Sequence, residues 1–85
     1  MADTILHIAS VVVKARPAVQ DAVAARIAAL AGAEVLMVDR GRIVVVLESD
    51  RPCDLADMLN RIGDLDEVMS ATLVFEHSEP DGDEV

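Results

Sequence analysis

Hydrophobic and polar positions along this chain alternate between two periods, and the switches mark six elements. "ILHIASVVV" (5–13) is apolar at nearly every position, rich in β-branched residues and too short for a buried helix, so it is expected to be a strand. "KARP" interrupts it. Pro17 pre-sets the first turn of a helix in which Val19, Val23, Ile27 and Leu30 form one stripe, with Gln20, Asp21 and Arg26 off it. That helix is expected over 17–31, and Gly32 supplies a left-handed stop. "EVLMVD" (34–39) and "RIVVVLE" (42–48) are two further strands joined through "DRGR", where Gly41 can take the positive φ of a tight hairpin. "SDRP" opens a second helix with Leu55, Leu59 and Ile62 in one stripe and Met58 beside it. Asp54 sits in its first turn, where the helix dipole favours an anion, and Gly63 ends it. "EVMSATLVFE" (67–76) is the fourth strand, and the closing "HSEPDGDEV" is polar and acidic with little to bury.

The order β-α-β-β-α-β is the split βαβ, or ferredoxin-like, α+β pattern. Right-handed crossovers put both helices on one face of a four-stranded antiparallel sheet of order 4-1-3-2. The expected organisation is a single domain over 1–77 followed by an acidic flexible tail over 78–85. Two helical stripes cover only one sheet face, yet "HIASVVVKA" (7–15) is apolar on both sets of alternate positions except at Ser10.

Strict alternation assigns Ala9, Val11, Val13, Val35, Met37, Ile43, Val45, Leu47, Met69, Ala71, Leu73 and Phe75 to the helix side. The opposite phase holds Ile8, Ser10, Val12, Leu36, Val38, Val44, Val46, Glu48, Ser70, Thr72, Val74 and Glu76. That is an apolar floor with small hydroxyls and marginal carboxylates, the character of a binding surface. Homodimerisation through sheet faces is the plainer use of such a face.

Composition narrows the partner. Hydrophobic residues make up 53% of the chain with Phe75 as the one aromatic, so the core is aliphatic, and Met37, Met58 and Met69 read as core filler. Seven basic against sixteen acidic residues give a net charge of −9, which repels nucleic acid and anionic membranes and attracts cations. The lone Cys53 excludes an internal disulfide and any CxxC pair, and no apolar run approaches a membrane span.

Four of the quoted strings carry a family resemblance: "SVVVKA" (10–15), "AGAEV" (31–35), "GRIVVVLES" (41–49) and "EVMSATLVFEH" (67–77). In that order and spacing, and with the acidic end, the chain resembles the NapD family of small cytoplasmic maturation chaperones of periplasmic nitrate reductase. It departs from the family pattern at Ala31, where a proline is usual, at Phe75, which stands for a tyrosine, at Glu76, where a histidine is often found, and in its short hairpin. The resemblance implies binding of the N-terminal twin-arginine signal peptide of the catalytic subunit, which holds back export until the molybdenum cofactor is in place. On that reading the peptide's apolar side packs on Ile8, Val12, Val44, Val46 and Val74 as an amphipathic helix in place of a missing second layer. Ser10, Ser70 and Thr72 hydrogen-bond its polar groups, and Glu48, Glu76 or the tail pairs with the arginines.

The remaining chemistry-bearing residues carry less. His7 and His77 have no third ligand in sight, Cys53 beside Arg51 lacks a nearby histidine base, and Arg40 and Arg42 read as solubilising charges around the hairpin glycine. With no Gly-rich phosphate loop and no nucleophile–base arrangement, the expectation is a non-enzymatic protein without cofactor or metal, a monomer or weak homodimer that does not insert stably into membranes. The alternative on the same scaffold is an ACT-like regulatory module that dimerises around a small ligand.

Overall fold

The computed structural model describes residues 5–80. Strand β1 is Ile5–Ala15; Pro17–Val19 form a short 3-10 turn leading into helix α1, Gln20–Ala28; β2 is Ala33–Asp39; β3 is Arg42–Ser49; helix α2 is Pro52–Gly63; and β4 is Val68–Pro80. The strands form one sheet in the order β2-β3-β1-β4, with all neighbours antiparallel. This is the expected ferredoxin-like α+β fold, with β1 and β3 in the middle.

The first helix is shorter than its hydrophobic stripe. Pro17 starts a 3-10 turn, and the Leu30 N–H bonds back to the Ile27 carbonyl at 3.0 Å, so the chain has left α geometry before Gly32. Gly32, at φ +83°, accepts the Glu48 N–H at 2.9 Å, and a Cβ there would lie 2.7 Å from the Glu48 carbonyl oxygen. Both the left-handed backbone and the close approach to β3 demand glycine. At the β2–β3 hairpin, Arg40 and Gly41 both have positive φ, the signature of a type I′ turn whose twist matches the flanking strands. The start of α2 is held differently. The Ser49 hydroxyl accepts the Arg51 N–H at 3.1 Å and donates to Asp54 at 2.9 Å, fixing the extended residue that must precede Pro52.

The core lies between the helices and one sheet face. Val11, Val13, Val23, Ile27, Ile43, Val45, Leu47 and Ile62 are fully buried, and Val19, Leu30, Met58 and Leu59 pack around them. Both helical stripes and the inward phase of β1 and β3 are as the spacing predicts.

The outer strands differ, because each carries an irregularity. On β2, Val35 pairs with Val45 but Met37 pairs with Val44, leaving Leu36 as an extra residue. On β4, Leu73 pairs with Val11 but Phe75 pairs with Ser10, so Val74 is extra, and Met69 is extra between Val68 and Ser70. A one-residue bulge moves every side chain beyond it to the other face. Val38, not Met37, therefore joins the core, and Met37 turns to the open face. Phe75 likewise joins the open face across from Ser10, while Glu76 stands across from Ala9 on the helix side. Met37 and Met69 are exposed rather than core filler; of the three methionines only Met58 packs on the core.

Strand β4 also continues beyond residue 76, where the acidic segment was expected to begin. Its backbone pairs with β1 as far as Ile5–Pro80. Residues 81–85 of the expected tail lie outside the described residues.

Candidate open-face site

The sheet face opposite the helices is built from four strands whose cross-strand partners form rows. Glu48, Ile8 and His77 make one row; Glu34, Val46, Ser10 and Phe75 the next; then Met37, Val44, Val12 and Thr72; and finally Asp39, Arg42, Lys14 and Ser70. None of these residues is in the buried core.

Eight of the ten residues singled out from the sequence lie on this face. Ile8, Ser10, Val12, Val44 and Val46 form its half-buried centre on β1 and β3. Glu48 is exposed at the end of β3, and Ser70 and Thr72 are exposed along β4. Val74 sits at the β4 bulge, 58% exposed. Glu76 belongs to the other face. With Ala9, Val11, Leu47, Leu55, Leu59 and Leu73 it lines a cavity of about 150 Å³ between α2 and the sheet.

The bulges also bring in residues that strict alternation leaves out. Phe75 adds the chain's one aromatic ring, 56% exposed and stacked on His77 with ring centroids 6.0 Å apart and planes at 21°. Met37 adds a flexible apolar side chain, 52% exposed. Glu34, across from Val46, supplies a second carboxylate beside the apolar centre. Nothing local in the sequence marks the two bulges that deliver Phe75 and Met37; Glu34 could have been found by extending the alternation of β2 one residue earlier.

Charge on the face is graded from end to end. Glu34 and Glu48 lie at one end, and beyond it, on the α2 side of the Gly32 turn, a depression of about 360 Å³ is lined by Glu48 with Asp54, Asp57 and Arg61 of that helix. At the other end Lys14 and Arg42 stand directly opposite one another, and with Arg16 and Arg40 they surround a depression of about 310 Å³. Ion pairs among the described residues are Arg16–Glu67 at 2.8 Å and Arg40–Asp39 at 4.0 Å, so Glu34, Glu48, Lys14 and Arg42 pair with no other described side chain. Among the described residues no group of three or more His, Cys, Asp or Glu could hold a metal ion, and no helix is long and apolar enough to cross a membrane.

Comparison with known proteins agrees with this architecture. The family model described as NapD protein matches residues 6–80. The solution structure of the E. coli Tat proofreading chaperone protein NapD superposes with a TM-score of 0.79 at 24% identity, covering 94% of this chain and 86% of that one. No curated protein matches significantly. With nearly all of its described sheet and both helices inside the matched region, the chain belongs to the NapD family.

Proposed function

We propose that this protein is a cytoplasmic chaperone that binds the N-terminal twin-arginine signal peptide of a periplasmic nitrate reductase catalytic subunit on its open sheet face, delaying export until the molybdenum cofactor is inserted. The observation that carries this reading is an uncovered apolar floor, Ile8, Val12, Val44, Val46 and Phe75, flanked by carboxylates that no described basic side chain neutralises. Export signals join a basic segment to an apolar one, and this face offers a complement to each. The superposable E. coli protein is itself a Tat proofreading chaperone, which supports the same role here.

The peptide's apolar side packs on the floor as an amphipathic helix, supplying the layer that the two helices leave off this face. Ser10, Ser70 and Thr72 offer hydroxyls to its polar groups. Its arginines meet Glu48 and Glu34; Glu76, turned to the helix side, is dropped from that role. Val74, on the bulge, cedes its place in the floor to Phe75. The role is non-catalytic. A small-ligand module is less well supported, because the apolar cavity of about 150 Å³ between α2 and the sheet is well below the roughly 300–1,000 Å³ of ordinary small-molecule pockets, and the depressions of about 360 and 310 Å³ are open to solvent and lined largely by charged side chains.

Calorimetric titration with a synthetic nitrate-reductase twin-arginine peptide tests the reading, with an Arg-Arg to Gln-Gln peptide alongside. Binding that weakens by tenfold or more in the control is expected. Equal binding of both peptides removes the arginine-recognition step, and no binding of either removes the chaperone reading.

A further inference from the structure

The two ends of the open face differ in sign, and nothing in the fold requires this. Like charges directly opposite on neighbouring strands destabilise a sheet, yet Lys14 and Arg42 are placed so, and Asp39, which stands across from Arg42 on its other side, makes its ion pair with Arg40 instead. Together with Arg16 and Arg40 they gather four of the chain's seven basic residues at one end of the sheet. Arg16 and Arg40 have acidic partners; Lys14 and Arg42, which flank the open face, have none among the described residues. At the opposite end of β3 stands Glu48, six residues from Arg42 and therefore about 20 Å away along the strand.

We infer that the open face holds its signal peptide in one direction, with the basic N-terminal segment at Glu34 and Glu48 and the end of the apolar segment at Lys14 and Arg42. This deepens the signal-peptide reading and rests on it. Charge complementarity sets the direction. An export signal is basic first and apolar afterwards, so its arginines are attracted to the acidic end and repelled from the basic one. The end of the apolar segment, if helical, presents unpaired carbonyls and the negative end of the helix dipole, for which Lys14 and Arg42 are natural partners. Length agrees as well. About 20 Å of helix is about 13 residues, within the roughly 7–15 of an export signal's apolar segment. Lys14 and Arg42 are thereby specificity-determining residues: they reject the reversed pose and relieve their own mutual repulsion when the peptide binds.

Paramagnetic broadening tests this. Isotope-labelled protein is mixed with a twin-arginine peptide carrying a nitroxide either at its N-terminus or immediately after the apolar segment. The N-terminal label is expected to broaden the amides of Ile8 and Glu48 more than those of Lys14 and Arg42, and the second label to do the reverse. The opposite pattern, or equal broadening at both ends, overturns the inference while leaving the signal-peptide reading intact. Failure of the unlabelled peptide to bind overturns both.

The Lys14→Glu/Arg42→Glu variant gives a second readout. If net charge alone governed affinity, a more negative protein would bind a cationic peptide more tightly. The inference instead expects binding about three- to tenfold weaker at physiological salt, where the arginines are more than a screening length away. Tighter or unchanged binding, with the circular dichroism spectrum preserved, refutes it.

Discussion

Val45 and Val46 are adjacent on β3 and face opposite ways, so the same substitution at each separates fold from function. Val45 is fully inaccessible among the core aliphatics. An aspartate there places an unpaired carboxylate in an apolar interior; if burial raises its titration by roughly 3 pH units or more, the cost at neutral pH levels off at about 4 kcal/mol as the acid protonates, and losing the buried valine adds about 1.5–3 kcal/mol. A domain of this length has a total stability of about 4–13 kcal/mol, so Val45→Asp is expected to be largely or wholly unfolded. Val46 is half-buried on the open face, between Ser10 and Glu34. There the losses are about 1 kcal/mol of strand preference and up to about 1 kcal/mol for the new carboxylate facing Glu34, which leaves the protein folded.

Peptide binding inverts that ranking. Val46 is already half-buried, so covering the rest of it with an apolar peptide contributes about 0.7–1.5 kcal/mol, and a carboxylate beneath the peptide must be desolvated besides at a cost of about 1–3 kcal/mol, so Val46→Asp is expected to weaken binding at least tenfold. Urea titration followed by circular dichroism measures the first quantity and calorimetry the second. If Val46→Asp unfolds the protein while Val45→Asp does not, the faces of β3 are reversed. If Val46→Asp folds and binds the peptide as tightly as the parent, the open face is not the peptide site.

Ile27, fully buried where α1 meets the sheet, should cost about 2–5 kcal/mol when changed to alanine, and a urea midpoint within error of the parent would refute the α1 packing. Arg40 holds a φ of +53°, a conformation costly for most side chains but well tolerated by asparagine, so Arg40→Asn should stabilise the hairpin by about 0.5–1 kcal/mol; a lower thermal midpoint would contradict the type I′ assignment. Phe75→Ala removes a ring that is 56% exposed, so the thermal midpoint should fall by no more than about 4 °C while peptide affinity drops at least fivefold. A large loss of stability with affinity preserved would place the ring in the core.

The sequence by itself determined the element order, the hairpin at Gly41, the stop at Gly32, both helical stripes and the burial of alternate residues on β1 and β3. Those features rest on local chemistry: a period of 2 or 3.6, glycines with positive φ and prolines at helix starts. From them the topology follows, since right-handed crossovers leave few arrangements for βαββαβ. The existence of an apolar second face was legible too, because "IVVV" is apolar in both phases and "SVVV" is apolar in both except at Ser10.

Only the tertiary structure decided what the outer strands contribute to that face. Bulges at Leu36 and Val74 exchange Met37 with Val38 and Phe75 with Glu76, removing a carboxylate from the open face and adding the aromatic ring. The extra residue in each case is an ordinary aliphatic, with no glycine or proline to announce it. Whether a strand absorbs such a residue depends on how its partner's register, its turn and the helix above compete for the same side chains. That is a contest among residues far apart in sequence. On an alternating strand its outcome reverses every position beyond the bulge, so the central strands could be read from their own residues and the edge strands could not.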